Sequence, residues 1–159
     1  MNLDVIDLKI LRELQADGRI TNVELAERVG ISAPPCLRRV RRLEENGYIK
    51  GYMALLDADS LGLSLSAFCS VGLKRQSEAD LSAFSELTQT WPLVRQAWMI
   101  SGEFDFLLLC VAENLSKYQN FVIESLTAAE NVDTVRTMLT IRPVKNAAPV
   151  DFNHLVHIK

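Results

Sequence analysis

Four arginines, Arg38, Arg39, Arg41 and Arg42, fall within five consecutive positions of a 159-residue chain whose formal net charge is −3. A guanidinium is a rigid, permanently charged fork that matches the O6/N7 edge of guanine or a pair of phosphate oxygens. The stretch that carries them, "GISAPPCLRRVRRLEENG", has Ser32 at a helix-capping position and Pro34 and Pro35 just after it. Prolines are tolerated in a first helical turn, where the N–H groups they lack have no intrahelical partner. Projected at about 100° per residue, Cys36, Leu37, Val40 and Leu43 share one arc of about 120°, the predicted packing face. Arg38 and Arg42 point nearly opposite, Arg39 and Arg41 flank them, and Ser32, Ala33 and Pro34 project from the N-terminal end. That is what a recognition helix requires: its first residues meet base edges in the major groove, and its arginines reach bases or neighbouring phosphates. The predicted DNA-binding set is therefore Ser32, Ala33, Pro34, Arg38, Arg39, Arg41 and Arg42. A solvated helix face, with Glu44 and Glu45 pairing some of the arginines, is the bland reading. The flanking elements weigh against it.

Those elements must hold the arginine helix. In "DVIDLKILRELQADG", Ile6, Ile10, Leu11 and Leu14 recur at helical spacing, with Asp4 as N-cap and Gly18 as terminator. "TNVELAERVG" opens with a capping box, Thr21 and Glu24; Val23, Leu25, Ala26 and Val29 are predicted to face a core, and Gly30 supplies the sharp exit. A short second helix, a glycine turn and a third helix form the helix-turn-helix signature. "YIKGYMALLD" then predicts two short β segments hinged at Gly51, a wing followed by a strand leading onward. "SLGLS", around Gly62, is the expected boundary, giving a winged helix-turn-helix domain over 1–62 and a second domain with a C-terminal tail over 63–159.

Past that boundary the hydrophobic period changes. Strands are predicted over 65–74, 93–100, 104–112 and 132–144, and helices over 78–90 and 115–129. The first of these helices stops at Trp91-Pro92, because proline disfavours helical geometry in the residue before it. Strand-helix-strand-strand-helix-strand predicts a ferredoxin-like βαββαβ sandwich, so the chain is α+β. Helices cover one sheet face. The strands are too apolar to leave the other in water, so it is expected to be buried between subunits.

Composition narrows the function. With 48% hydrophobic and 23% charged residues the chain is globular. Residues 1–50 carry a net +1 and residues 51–159 a net −4, so the positive charge is local to the first domain. No apolar run is long enough to span a bilayer, and the start lacks a signal peptide's basic and apolar segments, so no membrane partner is expected. Cys36, Cys69 and Cys110 sit among apolar residues, as buried free thiols of a reducing cytoplasm do. His154 and His157 form an HxxH with no further ligand nearby, and no metal is expected there. No nucleophile–base pair or Gly-rich phosphate loop appears, so neither catalysis nor a cofactor is expected.

Three stretches, "LDVIDLKILRELQADGRITNVELAERVGIS", "PCLRRVRRLEENGYIKGY" and "SGEFDFLLL", make the chain similar to the Lrp/AsnC family of transcription regulators from about Leu3 to Val144. The resemblance implies a sequence-specific DNA-binding regulator, cytoplasmic and nucleoid-associated, that binds double-stranded DNA. It implies homodimers that assemble to octamers, and a second domain that senses an amino acid or related small metabolite. Carried over, the effector lies near the "SGEFD" turn. Ser101 and Glu103 line it, Gly102 allows close backbone approach, Asp105 binds an α-ammonium group, and Thr137 or Thr140 contributes from a strand. Operator sequence is not carried over, because Ala33, Pro35 and Arg38 fall where the family varies. Some haem-pathway decarboxylases share this architecture, but both histidines here are confined to the tail. A module that binds an acidic protein partner is the other alternative; steep salt dependence on DNA separates it from the DNA reading.

Overall fold

Capping explains where the first three helices begin. Asp4 accepts from the Asp7 N–H at 2.9 Å and Asp7 accepts from the Asp4 N–H at 3.2 Å, a reciprocal box that starts α1 (Val5–Ala16). Thr21 and Glu24 do the same for α2 (Asn22–Val29), which ends on Gly30 in the left-handed region at φ 81°. Ser32 takes the N-cap position of α3 (Ala33–Glu45), but its hydroxyl makes no capping hydrogen bond. Pro34 and Pro35 have already removed two of the N–H groups such a bond would serve. This computed structural model describes residues 3–145 and 148–152. They form two compact units, one running to Leu55 and taking in the described residues from Lys145 onward, the other Leu56–Val144.

Ile10, Leu11, Leu25, Ala26, Val29, Cys36 and Leu43 form the core of the first unit. Phe152 packs against that core, and Gln15 brackets the Val150 backbone, donating to its carbonyl and accepting from its N–H. Two residues predicted to pack do not. Leu37 is 40% exposed and Val23 59% exposed. Both stand at the rim of their helix's apolar stripe, where three short helices bring nothing to cover them. The predicted wing strands are also absent: residues 46–57 hold no strand, and Met53 and Leu55 are 87% and 96% exposed. A strand needs a ladder partner, and the described residues of this chain give that segment none.

In the second unit, β1 (Leu65–Leu73), α4 (Glu78–Gln89), β2 (Val94–Met99), β3 (Phe106–Ala112), α5 (Leu115–Phe121) and β4 (Val132–Leu139) follow the predicted order. The antiparallel sheet runs β2-β3-β1-β4. Alternation sends Ala67, Cys69, Val71, Leu73, Phe106, Leu108 and Cys110 to the side of α4 and α5, against Phe84, Tyr118, Phe121 and Leu126. The other face presents Trp98 opposite Leu107, then Leu109, Phe68 and Met138 in register across three strands. Two predicted elements are shorter than expected. Beyond Phe121 the α-helix widens into a π-helical turn, Val122–Leu126, and β4 stops at Leu139. The strand stops because β1 begins at Leu65, so after the Thr140 N–H donates to the Ser66 carbonyl the ladder is used up.

Candidate nucleic-acid interface and effector turn

The arginine cluster divides in two. Arg38 and Arg41 are exposed and have no ion-pair or hydrogen-bond partner among the described residues. Arg39 and Arg42 instead reach back to α1. Arg39 Nη1 donates to Asp4 Oδ2 at 2.6 Å and to Asp7 Oδ1 at 2.7 Å. Arg42 Nη2 donates to both Asp7 oxygens, at 3.1 and 3.0 Å, and Asp7 is fully buried. Glu44, a candidate partner for the arginines in the bland reading, accepts from the Tyr52 hydroxyl at 3.0 Å. Burial, and then the bond to Glu44, push the Tyr52 phenol up to about 12. For Arg39, the hydrogen bonds to Asp4 and Asp7 raise the pKa further above an already high value.

At the start of α3, Ser32 and Pro34 are exposed and Ala33 is half-buried. Asn22 Nδ2 donates to the Ala33 carbonyl at 2.8 Å, which ties α2 to the first turn of α3 across the glycine bend. Because Pro34 and Pro35 carry no N–H, this helix end has fewer amides to offer an anion than most, leaving side chains to do the reading. The Ser32 hydroxyl, unused in capping, is one of them.

The "SGEFD" turn closes β2 onto β3. Gly102 stands at φ 141°, a conformation L side chains rarely adopt, and a Cβ there would have nothing within 4 Å. Ser101 and Glu103 are exposed; Glu103 pairs with Arg136 Nη1 at 3.0 Å, and that guanidinium lies 4.9 Å over the Phe104 ring. Asp105 staples the turn to the central strand. Its N–H donates to the Val71 carbonyl, and its Oδ2 accepts from the Leu73 N–H at 2.7 Å and from Gln76 Nε2 at 3.4 Å. Oδ1 accepts no hydrogen bond among the described residues.

The two threonines lie elsewhere. Thr137 shares a 2.7 Å hydrogen bond with the buried Tyr118 hydroxyl, at a groove of about 260 Å³ between α5 and β4 that Leu115, Val122, Ile123 and Leu139 also line. Cys69 lies beneath; burial raises its pKa against the lowering hydrogen bonds to Tyr118 and Thr137, and burial, then Cys69 itself, push Cys110 up to about 12. Thr140 donates through Oγ1 to the Ser66 carbonyl at 2.9 Å, where β1 begins. The turn is fixed near Val71, five residues on, so about 17 Å of strand separates Thr140 from it within one chain. The structure thus groups Ser101, Gly102, Glu103 and Asp105, leaves Thr140 apart from them, and commits the Thr137 hydroxyl to Tyr118 at the groove. Arg136, Phe104 and Tyr118 escaped the sequence reading. Only the charge of Arg136, in a strand otherwise poor in charge, hinted at one of them.

His154 and His157 lie outside the described residues. Among the described ones, no three His, Cys, Asp or Glu side chains are placed to hold a metal ion. No described helix is long and apolar enough to cross a membrane.

Residues 3–50 match a winged helix-turn-helix DNA-binding family, and residues 66–150 match the Lrp/AsnC ligand binding domain. A leucine-responsive regulatory protein of Rhizobium meliloti is 73% identical over 151 residues, 95% of this chain and 97% of its own. The leucine-responsive regulatory protein of Escherichia coli K12 is 41% identical over 146 residues, covering 92% and 89%. A transcriptional regulator from Neisseria meningitidis, solved as a complex with L-Met, superposes with a TM-score of 0.92 at 35% identity, covering 98% of this chain and 100% of that one.

Proposed function

Because this chain belongs to the Lrp/AsnC family of DNA-binding transcriptional regulators, we propose that α3 reads operator DNA through Ser32, Ala33, Pro34, Arg38 and Arg41, with Arg39 and Arg42 beside them. The observation that carries this is the pair of exposed guanidiniums with no partner among the described residues, on a helix whose other two are neutralised by carboxylates. In the same reading the protein regulates without catalysing, in the cytoplasm and on the nucleoid. Residues 1–62 serve DNA, and residues 63–159 serve sensing and assembly. The compact sheet unit itself begins earlier, at Leu56, and by Ser64, whose hydroxyl donates to the Glu113 carbonyl, the chain is already tied to the sheet.

The effector is an α-amino acid bound at the turn, with Gly102 admitting its carboxylate to the backbone and Asp105 Oδ1 taking its ammonium. Ser101 and Glu103 line the same turn. Thr140 joins only as a contribution from a neighbouring subunit, given its distance from the turn, as does Thr137, whose hydroxyl is held by Tyr118 at the groove. The open sheet face pairs two copies into a dimer, and dimers assemble further to octamers. Two experiments test this. Alanine at Arg38 and Arg41 lowers the slope of log affinity against log salt by about 0.9 for each phosphate that is no longer neutralised. An amino-acid ligand raises the melting temperature of the parent and not of Asp105→Ala. Unchanged salt slopes would remove the DNA assignment, and an equal shift in Asp105→Ala would remove the pocket.

A further inference from the structure

The geometry points to Asp7 as a positioning residue for DNA recognition: its buried carboxylate holds Arg42 in one orientation and withdraws Arg39 from the interface. This rests on the placement of the DNA face proposed above and adds to it a division of labour within the cluster. Asp7 has no exposed surface, and its oxygens are fully engaged. Oδ1 accepts from Arg39 and Arg42, and Oδ2 from Arg42 and the Asp4 N–H. Two carboxylates, Asp4 and Asp7, stand against two guanidiniums, so this knot is neutral as a whole. The knot is a joint between α1 and the charged side of α3, on the flank that the hydrophobic core does not clamp.

The two arginines in the knot are not equivalent. Both protons of Arg39 Nη1 are committed, one to each aspartate, and its side chain is only 28% exposed. Arg42 gives Asp7 one nitrogen, and its side chain stays 46% exposed. A planar fork held by one corner keeps its remaining N–H groups in a fixed direction, which a free arginine reaches only by surrendering rotamer freedom on binding. Asp7 therefore sets where Arg42 can meet a phosphate. It also lowers the mobile positive charge on α3 to that of Arg38 and Arg41, the form of charge that binds any DNA regardless of sequence.

The two roles predict a split that lower stability alone does not produce. Asp7→Asn keeps the side chain's shape and loses both of its ion pairs, freeing Arg42 and leaving Arg39 held by Asp4 alone. Its affinity for an operator fragment, selected from a random DNA pool by the parent protein, falls at least tenfold. Its affinity for poly(dI-dC) holds or rises, and the salt slope on that polymer steepens. Arg42→Lys keeps the charge but cannot span both Asp7 oxygens and still present an outer edge. It shows the same operator loss, and the double variant loses no more than either single one. If Asp7→Asn does not fold, Arg42→Lys decides alone. Equal losses on operator and polymer, or an Arg42→Lys protein that binds operator like the parent, would overturn the inference. Salt slopes unchanged from the parent's in Arg38→Ala and Arg41→Ala would instead show that the DNA face itself was misplaced.

Discussion

Leu109→Asp is the sharpest perturbation of the uncovered sheet face. Leu109 sits in the middle of a row in which it pairs with Phe68, which pairs in turn with Met138, and the neighbouring row brings Leu107 opposite Trp98. Within one chain Leu109 is half-buried, so the fold tolerates a polar replacement there; between two chains it would be covered. In a two-fold dimer every substitution occurs twice. If about half of a leucine's burial remains to be gained on pairing, the loss is about 1 kcal/mol per copy. Each aspartate must in addition shed water or protonate, at about 2 kcal/mol or more per copy. The sum is about 6 kcal/mol, or roughly four orders of magnitude in dimer dissociation constant. Sedimentation equilibrium from 0.1 to 100 µM, run with a helix-surface control such as Ala83→Asp, reads this directly, and circular dichroism checks that the monomer folds. A Leu109→Asp protein sedimenting as the parent does at low micromolar concentration would refute the assignment of this face. Operator affinity falls with it, because two recognition helices no longer bind as one ligand.

Three further outcomes are expected. Thr137→Val leaves the buried Tyr118 hydroxyl without its 2.7 Å partner, costing about 1–3 kcal/mol and several degrees of melting temperature, measured by calorimetry. Tyr118→Phe combined with it recovers part of that loss. Cys110, pushed up to about 12 by burial, is almost wholly protonated at pH 8, so iodoacetamide modifies it only after denaturation, as intact mass spectrometry can follow. At Asp4, burial raises the pKa, but the Asp7 N–H and Arg39 outweigh it and hold the carboxyl below its ordinary 3.8. A depressed carboxylate stabilises the folded state above its unfolded pKa and loses that contribution as pH falls through the folded one. The melting-temperature deficit of Asp4→Ala is therefore full at pH 6 and shrinks as the pH falls below the ordinary 3.8.

Local rules and period carried most of the architecture. The N-cap at Asp4, the capping box at Thr21, the glycine exit at Gly30 and the strand over Leu65–Leu73 each depend on neighbours a few residues away, and each appears as expected. What escaped depends on partners distant in sequence. A helical projection shows Arg39 and Arg42 pointing outward, but it cannot show that Asp7, some 32 to 35 positions earlier, stands beside them. The same projection put Leu37 on the dry face without knowing that no neighbour reaches the rim. The wing segment reads as strand because its residues favour strands, yet among the described residues no strand lies beside it to form a ladder. Of the residues expected at the effector turn, Ser101, Gly102, Glu103 and Asp105 stand together because adjacency guarantees proximity, whereas where Thr137 and Thr140 fall depends on the register of β4 on β1.

That register also orders events during synthesis. The sheet cannot close until its last strand arrives, since β1 at its centre must pair with β4, and Ser66 waits for Thr140, 74 residues later. The three helices around Ile10 and Leu43 need nothing beyond the first third of the chain except the late cover of Phe152. Between the emergence of Leu55 and that of Leu139, a ribosome working at about 5–20 residues per second takes roughly 4–17 s. Throughout that interval the nascent chain carries a finished recognition helix and no finished sheet. Each chain gains its DNA-reading part before it has the surface through which a second copy could join it.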